Sequence, residues 1–359
     1  MRPPQPAPDA GEQGQGQASA SRASADRAAM RRALELGESV RVYTSPNPWV
    51  GCVVSAGGEW FEGATEPPGG AHAEILALGA AGGRAKGATL YTTLEPCAHQ
   101  GRTPPCVEAV CEAGVARVVV GVLDPDPHVR GLGVDRLREA GIEVEVGLEG
   151  EEVAEQLAPY LKHRLTGLPW VVLKLASSLD GRIAAPDGSA RWLTGPEARA
   201  DAHRLRAESD AVLVGAGTVR VDDPELTVRI GPPVLQQPLR VVLGRIPQGA
   251  RVEPALEMTG EPTGVLSELG AKGILQVLVE GGAEVAHAFH AAGLVDRYVI
   301  YVAPALFGGD DAVPMFAGHG TSSVDRLWRG RFVSVRRVGE DLRVELAPRS
   351  GAPAPAEVP

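Results

Sequence analysis

Hydrophobic residues in the first half of the chain form short runs separated by amphipathic stretches. The run "WVGCVVSAGGEWFEG" predicts a β-hairpin that turns on Gly57 and Gly58, and "ATLYTTL" and "ARVVVGVLD" predict two buried strands. Helical spacing is found in "DRAAMRRALELG", where we expect the helix to end at Gly37, and in "HAEILALGAAGG" and "PPCVEAVCEAG". Alternating strands and helices predict a sheet covered by helices on both faces.

The same alternation returns after Pro169 and predicts a second α/β domain. Its strands are expected in "WVVLKLA", "AVLVG", "LRVVLG", "ILQVLVE" and "RYVIYVA". Helices are expected in "GPEARADAHRLRAE" and "GAEVAHAFHAAG", and "RFVSVRRVGEDLRVELA" predicts a closing β-hairpin. Between the two blocks, the helix-like "EEVAEQLAPYLKHRL" runs into "TGLP". We therefore expect one domain over residues 27–165 and another over 166–347.

The two ends differ in composition from the rest. Residues 1–26 are rich in Pro, Gly, Gln, Ala and Ser, and "SGAPAPAEVP" closes the chain. Such segments bury too little apolar surface to offset the entropy lost on ordering. We expect disordered tails over residues 1–26 and 348–359.

Charge and cysteine content narrow the function classes. The 359 residues include 45 acidic and 35 basic side chains, a net charge of −10, which argues against nucleic-acid or anionic-membrane partners. The sequence has no signal-peptide pattern and no apolar run of the roughly 18 residues that span a bilayer, so a cytoplasmic protein is expected. Four cysteines in so long a chain indicate metal ligands or catalytic groups rather than a disulfide framework.

Three residues are candidate zinc ligands. His72 opens a predicted helix, Cys97 follows a predicted strand, and Cys106 opens the next helix. One imidazole and two thiolates leave a fourth position open, as in catalytic zinc sites. Glu74 is two residues after His72, and on a regular helix two such side chains point about 200° apart. Glu74 can therefore share the site only if both residues lie at the helix N-terminus. There it would shuttle the proton in a hydrolytic deamination, and the pattern partly matches the H-x-E…P-C-x-x-C signature of zinc nucleobase deaminases.

Other assignments of the cysteines remain open. Cys111 is a rival ligand, although its position around the helix from Cys106 favours the core. Cys52 lies in the apolar strand "VGCVV" and is expected to be a core residue. His99 is a candidate fourth ligand if the zinc site is structural rather than catalytic.

An ordered series of motifs closely resembles the bifunctional riboflavin-biosynthesis deaminase/reductase family. The series includes "SPNPWVGCVV", "PPGGAHAEILAL", "TLEPCAHQGRTPPC", "DPDPHVRGLG", "KLASSLDGRIA", "WLTG", "LRAESDAVLVGAGTV", "DDPELTVR" and "LVEGG". The resemblance implies a cytidine-deaminase-like three-layer α/β/α domain followed by a dihydrofolate-reductase-like α/β domain. It also implies Zn²⁺, NADPH and a small-molecule pyrimidine ribotide substrate, which is first deaminated and then reduced from ribosyl to ribityl.

The resemblance also assigns residues. His72, Cys97 and Cys106 carry over as zinc ligands and Glu74 as proton shuttle. The others are substrate residue Asn47 in the first domain, cofactor residues Ala176, Trp192, Thr218, Asp222, Gly282, Ala283, Glu284, Val285 and Ala286, and reductase substrate residues Arg206, Leu226, Arg229 and Glu280. Each of three residues also has a purely structural interpretation: Asn47 as a turn residue, Arg206 as a solvated surface residue and Trp192 as a core residue. Lys174 is a further site candidate with an open role, because a lysine between apolar neighbours usually has a partner.

The second domain departs from the family pattern in ways that leave its activity open. Ala190 stands where the family usually has a serine. The chain has Leu243-Gly244-Arg245 where "VVLD" would be expected after "LR", and residues 251–272 look too short, as if a strand and a helix were missing. One alternative is therefore a deaminase whose second domain is a non-catalytic assembly module, and another is a zinc-stabilised scaffold. Glu74 argues against the scaffold, which has no use for a carboxylate beside the metal. We also expect a homo-oligomer.

Overall fold

A computed structural model describes residues 10–98, 104–126, 129–229, 231 and 234–349. The chain divides between Leu161 and Lys162 into two compact units. This division falls within the last helix of the first unit and close to the predicted boundary at 165/166. No helix in the described ranges combines the length and the apolar character needed to cross a membrane.

The first unit is a five-stranded sheet with helices on both sides. The strand order is β2-β1-β3-β4-β5; β1 is antiparallel to its neighbours, and β3, β4 and β5 are parallel. Helix α1 contacts α5, while α2 contacts α3 and α3 contacts α4. The elements are α1 (Ala10–Thr44), β1 (Gly51–Ala56), β2 (Glu59–Ala64), α2 (Ala73–Ala81), β3 (Thr89–Leu94), α3 (Cys106–Ala113), β4 (Arg117–Val122), α4 (Leu132–Glu139), β5 (Glu143–Val146), α5 (Gly150–Gln156) and α6 (Ala158–Thr166).

Two expectations about the first helix were wrong. It continues past Gly37 to Thr44, because this glycine serves close packing: a Cβ there would lie 2.6 Å from the Trp49 carbonyl oxygen. The helix also covers residues 10–26, which we expected to be a disordered tail. Asp26 is buried near the middle of the helix and accepts hydrogen bonds from Arg117 and Tyr91, contacts that hold this part of the helix on the sheet. Residues 1–9 and 350–359 lie outside the described residues.

The second unit is built on an eight-stranded sheet of order β10-β9-β8-β11-β6-β12-β15-β14. The first six strands in this order are parallel, and the closing hairpin of β14 and β15 adds antiparallel to β12. The elements are β6 (Trp170–Ser178), β7 (Arg182–Ala184), α7 (Pro196–Ala207), β8 (Ala211–Gly215), α8 (Ala216–Asp222), β9 (Leu239–Leu243), β10 (Leu256–Met258), α9 (Pro262–Ala271), β11 (Gln276–Val279), α10 (Ala283–Ala291), β12 (Arg297–Ala303), β13 (Val313–Pro314), β14 (Gly330–Val338) and β15 (Asp341–Pro348).

Alternating residues of the central strands fill two separate cores. Along β6, Val171 and Leu173 pack with Leu266 of α9 and Phe289 of α10 on one face. Val172 packs on the other face with residues of α7 and α8. This two-sided burial explains why the strands read as continuous apolar runs.

The expectation that residues 251–272 lack a strand and a helix was wrong. This stretch contains β10, which pairs with β9 over Leu256–Met258, and α9, which supplies core residues. The strand is only three residues long and too short for a periodic pattern. The two-domain α/β prediction itself is confirmed.

Candidate active sites

The first site lies where α2, α3 and the end of β3 meet. His72 is the N-cap residue of α2, Cys106 is the first residue of α3, and Cys97 follows β3. His72 Nδ1 lies 3.0 Å from Cys106 Sγ and 3.6 Å from Cys97 Sγ. The three potential ligand atoms all lie within 4.8 Å of one another.

The donor set fits a zinc ion. Zinc bonds of roughly 2.0 Å to nitrogen and 2.3 Å to sulfur place ligands of a tetrahedral site about 3.5 Å apart, close to the separations found here. The thiols and the imidazole already perturb one another: the neighbouring Cys106, together with His72, lowers the pKa of Cys97, and Cys97 raises the pKa of His72. The cluster is therefore suited to carry a thiolate even without metal.

Glu74 lies in the first turn of α2 and is only 4% exposed. Its burial raises the pKa of the carboxyl group to about 7. A carboxyl group with this pKa beside the cluster can both accept and release a proton near neutral pH. The predicted position at the helix N-terminus is the one that the structure has.

The other residues of the first unit that the sequence singled out lie outside the cluster or outside the described residues. Cys52 is fully buried in β1, as expected. Cys111 lies at the other end of α3, outside the cluster of His72, Cys97 and Cys106. Asn47 lies in the turn between α1 and β1, where its backbone N–H donates to the Thr44 carbonyl at 2.8 Å. Its role as a substrate residue stays a prediction. His99 lies outside the described residues.

The second site is a cavity of about 600 Å³ in the second unit. Eight of the residues predicted from the resemblance line it: Ala176, Trp192, Arg206, Thr218, Asp222, Leu226, Arg229 and Glu280. They come from β6, α7, α8, the segment between β7 and α7, and the segments that follow α8 and β11. Parallel strands bring their carboxyl ends to one edge of the sheet, where ligands of such sheets bind.

The glycine-rich segment before α10 borders this cavity without lining it. Gly282 is the N-cap residue of α10, and a Cβ on it would lie 3.6 Å from Thr218 Oγ1. The start of α10 is thus next to one predicted cofactor residue, and the N–H groups of a first helical turn lack partners within the helix. A phosphate of NADPH fits the charge and the donors of such a helix end.

Glu280 is the charged centre of the cavity. Arg206 donates to both of its carboxylate oxygens, and Lys174 Nζ lies 3.7 Å from Oε2. The sequence predicted that Lys174 has a partner, and the structure shows that this partner is Glu280. Because Arg206 is largely buried in this pair, the reading of it as a solvated surface residue was wrong.

Arg229 and Trp192 lie at more exposed positions. Arg229 pairs with Glu225, and its side chain remains 50% exposed. Trp192 is 70% exposed, so the alternative of a core tryptophan was wrong. The Arg199 guanidinium lies 4.6 Å from its ring centroid. Asp222 pairs with Arg191 at 3.8 Å.

His203 and Tyr301 line the same cavity and were missed from the sequence. Burial, with Arg206 and Arg229 nearby, lowers the pKa of His203. His203 lies three residues before Arg206 on α7, so helical spacing could have placed both on one face. Tyr301 donates to Asp201 at 2.6 Å, a contact across 100 residues with no local signal.

Comparison with known proteins identifies both halves. Residues 23–122 match the cytidine and deoxycytidylate deaminase zinc-binding region, and residues 169–344 match the RibD C-terminal domain. The riboflavin biosynthesis protein RibD of Mycobacterium tuberculosis (strain H37Rv) is 46% identical over 333 residues, covering 89% of this chain and 97% of that protein. This chain belongs to the RibD family.

Solved structures of RibD proteins share the fold. RibD of Acinetobacter baumannii (form 1) matches with a TM-score of 0.85 at 39% identity, covering 91% of this chain and 99% of that one. A diaminohydroxyphosphoribosylaminopyrimidine deaminase/5-amino-6-(5-phosphoribosylamino)uracil reductase of Thermotoga maritima matches with a TM-score of 0.84 at 34% identity, covering 91% and 100%. The agreement extends over both units.

Proposed function

We propose that this RibD protein is a bifunctional enzyme of riboflavin biosynthesis. Its first unit hydrolytically deaminates 2,5-diamino-6-ribosylamino-4(3H)-pyrimidinone 5′-phosphate. Its second unit then reduces the ribosyl side chain with NADPH, which gives 5-amino-6-ribitylaminouracil 5′-phosphate. The observation that carries the proposal is the cluster of His72, Cys97 and Cys106 with the buried Glu74 beside it, in a chain whose second half matches the RibD reductase.

In the deaminase half, His72, Cys97 and Cys106 would hold zinc. When bound, zinc lowers the pKa of a water molecule to near 7 and so supplies a nucleophile. Glu74 takes up the proton of that water and delivers it to the departing ammonia. Its buried position and raised pKa support this role, because the carboxyl group is stable in both protonation states near neutral pH.

In the reductase half, the nicotinamide cofactor would contact Ala176, Trp192, Thr218, Asp222 and residues 282–286. The substrate would contact Arg206, Leu226, Arg229 and Glu280. Both arginines have an acidic partner, but Arg229 is the more available cation for the phosphate because half of its side chain is exposed, whereas Arg206 is largely buried against Glu280. Glu280 can accept hydrogen bonds from ribose hydroxyls.

The alternative of a deaminase with a non-catalytic second domain is not favoured. It depended in part on a missing strand and helix, and both elements are present as β10 and α9. The RibD C-terminal domain matches residues 169–344, which include Ala190 and residues 243–245. Homo-oligomeric assembly and a cytoplasmic location remain predictions, which sedimentation and cell fractionation can measure.

The test is a two-signal assay on the zinc-loaded chain. With the diaminopyrimidinone ribotide we expect ammonia release followed by loss of NADPH absorbance. Ammonia without NADPH consumption would instead favour the deaminase-only alternative, and neither signal would favour the scaffold. Glu74→Gln should keep its zinc and lose ammonia release by a factor of about 10²–10⁴. That variant should still consume NADPH when given the deaminated ribotide.

A further inference from the structure

Glu95 is a buried carboxylate for which the deamination chemistry has no use. It is 3% exposed and lies between the last residue of β3 and Pro96, two positions before Cys97. Burying an ionised carboxylate is costly unless its oxygens receive strong hydrogen bonds. The partners of Glu95 therefore indicate what it does.

Four backbone N–H groups donate to Glu95. Oε2 accepts from Asp124 N at 3.1 Å and from Gly131 N at 3.0 Å. Oε1 accepts from Gly133 N at 2.9 Å and from Val134 N at 3.2 Å. Asp124 and Gly131 lie at the start and at the end of the connection between β4 and α4, and Gly133 and Val134 lie in the first turn of α4. One side chain therefore fixes both ends of that connection and the helix start that follows it.

The start of α4 also touches the segment that carries Cys97. A Cβ on Gly133 would lie 2.1 Å from the Pro96 carbonyl oxygen, so only glycine allows this approach of the two backbones. On the other side, Val107 N of α3 donates to the Cys97 carbonyl at 3.2 Å. Residues 95–97 are held between the starts of α3 and α4.

Sheet topology places the connection beside the metal cluster. Strands β3 and β4 are parallel, and Leu94 pairs with Val122 at their carboxyl ends. The residues that follow both strands therefore leave the same edge of the sheet, next to Cys97. A second contact holds the start of the connection, because Tyr160 donates to Asp124 Oδ2 at 2.9 Å in a buried position.

The geometry points to Glu95 as a positioning residue of the deaminase site. It fixes the two described ends of the β4–α4 connection, at Asp124 and Gly131, and the first turn of α4 against the Cys97 segment, and so shapes the wall that the pyrimidine meets. This inference rests on the proposed deaminase function. It also gives a physical reason for two motifs, "TLEPC" and "DPDPHVRGLG". Three of the four hydrogen bonds of Glu95 join them, and so does the close approach of Gly133 to Pro96.

The test is Glu95→Gln in the full chain. The amide nitrogen cannot accept hydrogen bonds, so two of the four N–H groups lose their acceptor. We expect the deaminase kcat/KM to fall about 10–100-fold, with the larger change in KM, and zinc to be lost more readily to a competing chelator. NADPH consumption with the deaminated ribotide should not change. Wild-type KM and zinc affinity in Glu95→Gln would overturn the inference.

The matched control is Glu108→Gln. Glu108 also joins α3 to α4, through Arg136 at 3.3 Å, but both side chains are about half exposed. We expect wild-type zinc affinity and deaminase constants from this variant. An equal loss in both variants would show that any weakening of the α3–α4 contact suffices, and would overturn the specific role of Glu95.

The experiment also covers a Glu95→Gln variant that does not fold and a wild-type chain that releases no ammonia. If Glu95→Gln does not fold, Tyr160→Phe takes its place, because it removes one contact of the same connection. It should raise the deaminase KM about fivefold, and an unchanged KM there would overturn the inference. If the wild-type chain releases no ammonia, the proposed function fails, and the chelator competition alone decides the positioning role of Glu95.

Discussion

Arg206 and Glu280 form a buried two-point ion pair in the second unit. Arg206 Nε lies 2.5 Å from Glu280 Oε1, and Nη2 lies 3.1 Å from Oε2. The side chains are 13% and 8% exposed, and Lys174 approaches the same carboxylate. The pair joins α7 to the end of β11 across the cavity that the substrate would enter.

Glu280→Gln should destabilise the second unit. The substitution leaves Arg206 and Lys174 buried without a counter-charge, and breaking a buried pair in this way costs about 3–5 kcal/mol. Denaturant unfolding of the full chain measures the loss. Glu268→Gln is the control, because Glu268 forms an exposed pair with Lys272 one turn away, and its loss should change the free energy of unfolding by less than about 0.5 kcal/mol. Equal unfolding midpoints for the two variants would contradict the prediction.

The same pair predicts a pH dependence. Burial alone would raise the pKa of Glu280, but Arg206 and Lys174 outweigh it and hold the pKa at about 2, below the ordinary value of 4.5. A lowered folded-state pKa contributes stability that is present above the ordinary value and is lost as the pH falls toward the folded value. Stability should therefore decline between about pH 4.5 and pH 2.

The measurement is the difference in unfolding free energy between the wild type and Glu280→Gln as a function of pH. This difference cancels the contributions of the other carboxylates. It should be constant above about pH 5 and shrink in more acidic solution. A difference that stays constant down to pH 3 would show that the carboxylate is not held by its cations.

Cys106→Ser and Cys111→Ser should behave differently although the residues share one helix. Cys106 Sγ belongs to the cluster with His72 and Cys97, whereas Cys111 lies outside it. Cys106→Ser should lose most of its zinc and its ammonia release, and Cys111→Ser should keep both. Metal analysis and the ammonia assay measure this. Zinc loss from the Cys111 variant would revive Cys111 as the ligand.

A site could be predicted from the sequence where its residues belong to short motifs, and not where they come together from distant parts of the chain. The zinc candidates lie at element ends that short motifs mark, so the chemistry of His, Glu and Cys at these positions could be read directly. The contacts of Glu280 could not, because Arg206 is 74 residues away and the two meet only when β11 is inserted between β8 and β6. The resemblance supplied those residues but not their pairing.

The fold was predictable where elements are long and apolar. Strand β5 was missed because it has four residues and is largely exposed, which leaves no periodic signal. The extension of α1 was missed because its early residues have few apolar side chains. Its anchoring at Asp26 depends on Arg117, 91 residues away. Gly37 was misread because glycine serves both as a helix stop and as a close-packing residue.

A last prediction concerns the packing of α1 on β1. A Cβ on Gly51 would lie 1.8 Å from the Ala33 carbonyl oxygen of α1, so Gly51→Ala must push helix and sheet apart. We expect a loss of about 1–3 kcal/mol or more in the unfolding free energy of the first unit.

Gly79→Ala is the control of opposite sign: Gly79 is exposed within α2 with open space around its Cβ position. There alanine should stabilise the helix by up to about 1 kcal/mol, because it loses less backbone entropy on folding than glycine. Unfolding curves of the zinc-loaded variants measure both effects. A Gly51→Ala variant as stable as wild type would mean that α1 and β1 lie far enough apart to accept a methyl group between them.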